Sequence, residues 1–191
     1  MVFTRDIYYQ EKFSKLSFAK EIIKSKDFEE CEFSNCSFID CRFESCKFIT
    51  CKFSNCILSS VKPVSCLFRE VSFAQSKVMG VDWTAAAHLT DLEFTDCQIN
   101  YSNFMFLKLP KIKIVNCEVK EVDFTESDLS YGDFRNTDFE KSKFFKTNLT
   151  NADFKGAKNY FIDTKNNILK KTRFSLPEAL SLLNCLDIII D

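Results

Sequence analysis

The chain has 191 residues, 46% of them hydrophobic, and a formal net charge of -1. This composition provides a folded core and excludes a disordered chain. The three glycines, Gly80, Gly132 and Gly156, are too widely separated for the phosphate-binding loops of dinucleotide and P-loop enzymes. One histidine, His88, is too few for Ser-His-Asp or multi-histidine metal chemistry. We therefore expect a non-enzymatic protein without catalytic residues, metal or cofactor, and the balanced charge argues against direct nucleic-acid binding.

The first twelve residues alternate charged and aromatic side chains and contain no apolar stretch of signal-peptide length. No later segment is apolar enough to span a membrane. We expect a cytoplasmic protein that makes no contact with a membrane, in a compartment where its ten cysteines stay reduced.

From residue 13 a large apolar residue recurs every five positions, with Pro63 as its poorest occupant. The series is Phe13, Phe18, Ile23, Phe28, Phe33, Phe38, Phe43, Phe48, Phe53, Leu58, Phe68, Phe73, Val78 and Trp83. Neither the 3.6-residue period of a helix nor the two-residue period of a strand keeps such residues on one side. The chain must therefore turn every five residues.

From Cys31 onward a second series, mostly of small residues, lies two positions before the large one, and nine of the ten cysteines belong to it. A free cysteine behaves as a small buried hydrophobe. The alternative is a metal or redox ladder, but the spacing lacks the two-residue separation typical of zinc ligands. We predict a packing role for the nine, and helix packing for Cys185.

The register slips by one residue between Trp83 and Phe94. The slip predicts a bulge or loop at residues 84–89, with Thr84 and His88 as its polar members. From Phe94 to Phe154 the five-residue period is strict.

A different pattern begins after Ala157. Ser175 and Glu178 have the spacing of a helix capping box, and Pro177 falls in the first turn. The residues that follow predict the apolar stripe of a short α-helix, formed by Leu176, Ala179, Leu180, Leu183 and Leu186. Residues 188–190, all isoleucine, are a possible strand. Because a three-turn helix is marginal alone, it must pack on the last coil, on a second subunit or on both.

The small-x-large-x-x pattern resembles the pentapeptide repeat family over nearly the whole chain, and residues 31–35 and 152–156 are its best-formed copies. The resemblance implies an all-β fold, a right-handed quadrilateral parallel β-helix with four repeats per coil and a short C-terminal α-helix. Residues 1–27 would form an N-terminal cap with irregular repeats, and residues 28–157 the β-helix. Residues 158–191 would form a C-terminal cap and dimerisation segment.

Acidic residues dominate residues 121–140, where Arg135 is the only opposing charge. They are Glu121, Asp123, Glu126, Asp128, Asp133, Asp138 and Glu140. A twenty-residue coil would place Glu118 beneath Asp138 and Asp133 beneath Asp153. This predicts carboxylates stacked on shared faces, as an acidic face that binds a basic partner. The alternative is that these aspartates only stabilise turns.

The single rod, the mid-chain interruption and the C-terminal helix resemble the quinolone-resistance (Qnr-type) and microcin-immunity proteins. Residues 101–134 look most like the microcin-immunity type. This resemblance implies a homodimer joined through the C-terminal segment. It also implies DNA gyrase or topoisomerase IV as the partner, bound by DNA mimicry, and protection against quinolone- or microcin-type poisons. The alternative is a protein-interaction scaffold whose partner is unrelated to topoisomerases.

Overall fold

The structure is a computed structural model and describes residues 3–186 and residue 188. Its described part contains sixteen strands, β1 to β16 in chain order, and two 3₁₀ segments, Trp83–Ala85 and Glu178–Cys185. The strands are Ile7–Tyr9, Lys12–Ser14, Ser17–Ala19, Ile22–Lys24, Asp27–Glu29, Glu32–Ser34, Ser37–Ile39, Arg42–Glu44, Lys47–Ile49, Lys52–Ser54, Ile57–Ser59, Lys62–Val64, Leu67–Ala74, Lys77–Met79, His88–Thr95 and Lys113–Val115.

Every strand in the described residues pairs in parallel with a strand one coil away. Ile7 pairs with Asp27, Asp27 with Lys47, and Lys47 with Leu67. Four faces result: β1, β5 and β9 lie on face 1, β2, β6 and β10 on face 2, β3, β7, β11 and β14 on face 3, and β4, β8 and β12 on face 4. The longer β13 and β15 cross the corner between faces 1 and 2. The predicted parallel β-solenoid with one short helix near the C-terminus is confirmed.

The large residue of each repeat points to the axis, where aromatic rings stack from coil to coil. Phe33 lies 4.5 Å from Phe53, ring centroid to ring centroid, with 4° between the ring planes. Burial of such a side chain contributes about 1.5–3 kcal/mol. The nine cysteines of the small position are buried and unpaired, as their packing role requires.

The last residue of most repeats turns the corner with a left-handed backbone. Asn35 and Asn55, for example, both have φ of 54°. This conformation costs a non-glycine residue about 1–2 kcal/mol. Each corner recovers a hydrogen bond to the next coil, as in the 3.0 Å bond from Asn35 N to Ser54 O. The alternation of three-residue strands and left-handed corners therefore explains the period of five.

The coils extend beyond the predicted range on both sides. Regular strands begin at Ile7, within the segment expected to be a cap with irregular repeats. Bridges continue to Arg173, which lies opposite Asp153. The strict period ends after Ala157, yet large residues still fill the axis, and Phe174 stacks on Phe154 at 5.4 Å.

The register slip is shorter than predicted. Asp82 caps the turn Trp83–Ala85, and its Oδ1 accepts hydrogen bonds from Thr84 N at 3.2 Å and Thr84 Oγ1 at 2.6 Å. His88 already lies in β15 and pairs with Leu67, so the extra residue is accommodated within residues 84–87.

The C-terminal helix is 3₁₀ rather than α, and the predicted capping box does not form. Ser175 Oγ instead accepts a 2.9 Å hydrogen bond from Gly156 N, and Glu178 Oε1 accepts one of 2.6 Å from Asn159 N. These N–H groups belong to the last coil, where no further coil supplies acceptors. The predicted strand at residues 188–190 lies outside the described residues except for Ile188, which is not in a strand. No helix in the described part is long and apolar enough to cross a membrane.

Candidate functional site

The four central aspartates of the predicted acidic face lie on four different faces of the rod. Asp123 is on face 4, Asp128 on face 1, Asp133 on face 2 and Asp138 on face 3, each in line with residues one coil away. Glu121 and Glu126 are at corners, and Glu140 follows Asp138 on face 3. The predicted stacks of Glu118 on Asp138 and of Asp133 on Asp153 do form. The acidic residues do not form a single acidic face, because twenty residues complete one full coil and are therefore spread around the rod.

Cations neutralise most of these carboxylates. The ion pairs are Lys143–Asp123 at 3.7 Å, Arg135–Asp133 at 2.6 Å, Lys158–Asp138 at 3.7 Å, Lys146–Glu126 at 3.3 Å and Lys120–Glu140 at 3.2 Å. Asp128 accepts a hydrogen bond from Asn148 Nδ2 at 2.9 Å. Exposed ion pairs contribute only about 0.2–1 kcal/mol each, but they cancel the field that would steer a distant partner.

The same aspartates also stabilise the turn that follows them. Oδ1 of Asp123 accepts a hydrogen bond from Thr125 N at 2.9 Å, and Oδ1 of Asp128 accepts one from Ser130 N at 3.0 Å. Burial opposes ionisation of Asp133, but its hydrogen bonds with Arg135 and the positive charges of Arg135 and Lys113 hold its pKa below the ordinary value. The local geometry is therefore that of turn chemistry, the alternative that the sequence left open.

Thr84 and His88, the two polar residues predicted at the register slip, do not form a candidate site within the described residues. The Thr84 hydroxyl is bonded to Asp82, and both Thr84 and His88 are exposed.

The C-terminal leucines divide between two sides of the helix. A 3₁₀ helix has three residues per turn, so Ala179, Leu182 and Cys185 align on one side. Leu182, which the sequence did not single out, packs on the core, and Cys185 Sγ lies 3.2 Å from Thr164 Oγ1. The predicted stripe is thus partly turned outward. Leu176 is 76% exposed and Leu180 50%, Leu186 and Ile188 are also exposed, and Leu183 is half-buried.

An aromatic surface lies on and beside face 4. Tyr101 and Phe106 occupy the two corners that border it and are 58% and 63% exposed. Met105 lies between them, and Phe145 follows two coils further along, 44% exposed. We call Tyr101, Met105, Phe106 and Phe145 the face-4 patch. The sequence carries a signal for this surface, because Tyr101 and Phe106 are aromatic residues at the corner position, which is usually polar.

Two family models match the sequence. A model of the pentapeptide repeat region matches residues 46–124, and a model of eight pentapeptide repeats matches residues 27–60 and 120–158. The chain belongs to the pentapeptide repeat family. No curated protein matches this pentapeptide repeat protein.

Solved structures share the fold over almost the whole chain. Full-length QnrB1, described as a plasmid-mediated fluoroquinolone resistance protein, superposes with a TM-score of 0.68 at 16% identity, over 95% of this chain and 100% of that one. A trypsin-treated QnrB1 variant gives 0.66 at 17% identity, over 97% and 98% of the two chains. A second such variant gives 0.64 at 18% identity, over 97% and 100%. At these identities the likeness is one of fold.

Burial makes three thiols of this pentapeptide repeat protein, those of Cys31, Cys41 and Cys51, poorly suited to chemistry. Burial raises the pKa of Cys51 to about 12, and burial also raises the pKa of Cys31 and of Cys41. A nucleophilic or metal-binding cysteine must lose its proton. Within the described part of the chain, no group of three or more His, Cys, Asp and Glu residues is placed to hold a metal ion.

Proposed function

We propose that this pentapeptide repeat protein is a non-catalytic binding protein of the cytoplasm, whose partner is a type II topoisomerase, DNA gyrase or topoisomerase IV. The observation that carries the proposal is the full-length likeness to QnrB1, which spans 95% of this chain and all of that one. The rod and C-terminal segment therefore have counterparts in a fluoroquinolone resistance protein. The Qnr-type pattern of the sequence implies the same partner.

Contact with the partner rests on apolar anchors rather than on imitation of DNA charge. The carboxylates of residues 121–140 are spread over four faces and largely ion-paired. Binding energy in protein interfaces is concentrated in a few aromatic and arginine side chains. The face-4 patch supplies exposed aromatic rings in the middle of the rod. Glu121, Asp123 and Glu126 lie one coil further along on the same face and its two corners, and contribute polar contacts at its rim.

The test is gyrase supercoiling in the presence of a fluoroquinolone, with and without this protein. We expect the wild-type protein to restore supercoiling. A Tyr101→Ser/Phe106→Ser variant should need at least about tenfold more protein, because loss of two anchors costs about 1.4 kcal/mol or more. Tyr9→Ser removes an equally exposed aromatic side chain from the first coil and serves as the control. Absence of any rescue or inhibition by the wild-type protein would refute the topoisomerase proposal.

A scaffold with an unrelated protein partner is the second candidate. Charge pairing favours it, since ten of the fourteen ion pairs in the described residues join neighbouring coils and leave no face strongly negative. A rod without a negative face has no special complementarity to a DNA-binding saddle. Full activity of gyrase and topoisomerase IV, unchanged by this protein with or without poison, would support the scaffold.

We also propose that the chain is a homodimer joined through its C-terminal segment. Leu176, Leu180 and Leu186 are exposed around a helix too short to be stable alone. A second copy of the same segment would cover these side chains in a two-fold contact.

A further inference from the structure

A cleft of about 270 Å³ opens between two coils on face 1. One wall is residues 89–92 of β15, and the other is residues 108–112. Apolar side chains from both walls form its lining: Leu89, Leu92, Leu109 and Ile112. The cleft lies next to the register slip and its second wall contains Pro110, and neither feature recurs along face 1 in the described residues.

The backbone ladder is interrupted at this cleft. One coil later on the same face, Leu109 N bonds to Asp128 O at 2.8 Å, Lys111 N to Ser130 O at 2.8 Å and Asp128 N to Leu107 O at 2.9 Å. The equivalent donors at the cleft are the N–H groups of Leu89, Asp91 and Lys108. In the described part of the chain, none of the three makes a hydrogen bond across the cleft.

Side chains at the cleft are also left without partners. Thr90 Oγ1 is buried and has no hydrogen-bond partner within the described residues. Lys108 and Lys111 line the cleft, and neither belongs to any of the fourteen ion pairs found there. The one carboxylate in the lining is that of Asp91. Lys108 and Lys111 are exposed, but a buried hydroxyl without a partner, such as that of Thr90, is rare in folded proteins and calls for an explanation.

We propose that the cleft binds a small monocarboxylate with an apolar body. Orphaned N–H groups and ammonium groups need acceptors, and a carboxylate offers two oxygens that each accept more than one hydrogen bond. The leucine and isoleucine lining suits an apolar body. Asp91 repels a second negative charge, so a monoanion is preferred to a dianion. The volume lies below the roughly 300–1,000 Å³ of pockets for drug-sized ligands, so the ligand is small.

Sodium benzoate is the probe, titrated into the full ¹⁵N-labelled chain and followed by NMR. We expect the amide signals of Leu89, Asp91 and Lys108 to shift together, with a Kd on the order of 1 mM for so small a ligand. Benzamide has the same shape without the charge and should bind at least about tenfold more weakly, as should inorganic phosphate.

Variants test the assigned residues. Lys108→Gln with Lys111→Gln should weaken benzoate binding at least about tenfold, since two charge-assisted contacts are lost. Lys141→Gln, an exposed lysine at a corner of face 3, is the matched control and should leave binding unchanged. An unaltered melting temperature establishes that each variant is folded.

Three results would overturn the proposal. The first is that benzoate leaves the three amides unmoved at 50 mM, which is about 50 times the expected Kd and nearly saturating. The second is that benzamide or phosphate binds as well as benzoate. The third is that hydrogen exchange at Leu89, Asp91 and Lys108 is as slow as at Leu109 and Lys111, because the cleft would then be closed in solution.

Discussion

Gly156 occupies a corner with a left-handed backbone. A larger residue at this position would destabilise the fold for two separate reasons. The φ of Gly156 is 71°, and a Cβ at this position would collide with Oδ1 of Asn136 one coil away. Asn136 Nδ2 in turn donates a 3.1 Å hydrogen bond to Asn116 Oδ1. Gly156→Ala should therefore lose about 1 kcal/mol to backbone strain and about 1 kcal/mol to displacement of Asn136 from its hydrogen bond.

Gly80 provides a matched control at the same repeat position. Its φ is 63°, but the nearest atom to a built Cβ is Ser60 Oγ at 3.5 Å, an ordinary contact. Gly80→Ala should therefore lose only the backbone term, about 1 kcal/mol. For a chain of this length, 1 kcal/mol shifts the melting temperature by about 2–4 °C. We expect a loss of about 2–4 °C for Gly80→Ala and about twice that for Gly156→Ala.

A double-mutant cycle with Asn136→Gly isolates the collision. Asn136→Gly removes the obstructing side chain and is tolerated at its φ of 57°. Urea unfolding of both single variants and the double variant should give a coupling energy of about 1 kcal/mol. Each single replacement loses the Asn136–Asn116 hydrogen bond, and the double variant loses it only once. Strict additivity, or equal losses for Gly80→Ala and Gly156→Ala, would refute the reasoning.

Three further predictions concern the core, the C-terminus and acid stability. Phe33→Ala should destabilise the rod by about 3–5 kcal/mol in urea unfolding, and a loss below 1 kcal/mol would mean the ring stack is not a tightly packed core. Leu176→Glu with Leu180→Glu should give a monomer by light scattering while Ile22→Glu does not, and a variant that stays dimeric would contradict the C-terminal interface. The lowered pKa of Asp133 means that its ionised form stabilises the fold above the unfolded-state value of about 3.9, and that this contribution is lost as the pH falls through the lower folded value. Asp133→Asn should therefore flatten the loss of stability below about pH 4, and an unchanged profile would exclude this role.

The sequence predicts the inward positions because the five-residue period is a direct consequence of geometry. Each Phe or Leu of the series from Phe28 to Phe154 is the middle residue of a three-residue face, and the structure buries these side chains. Pro63 is an unusual residue type for this series, but it occupies the expected position, since it pairs in register with Phe43. Positions set by local repetition are readable without any knowledge of distant contacts.

The outer surface is less predictable, because neighbours in sequence are not neighbours in space. The acidic run at residues 121–140 looks like a patch when written as a line, but it encircles the rod and meets cations from the coils above and below. The cleft at Thr90 depends on how Lys108 and Pro110 fit against a coil displaced by an extra residue, which no single repeat reveals. A period of 3.6 predicts the C-terminal stripe without Leu182, whereas the helix has three residues per turn and places Leu182 on the side that packs on the core.

The twenty-residue step between stacked residues makes the length of the rod a modular property. Duplication of twenty consecutive residues within a strictly periodic segment would add one layer, about 4.8 Å thick, while leaving each face's column of side chains in order. An insertion of one residue, by contrast, is absorbed at a single corner, as at residues 84–87, and opens the wall beside it. Mutations can therefore change the length of the rod and the shape of its surface independently.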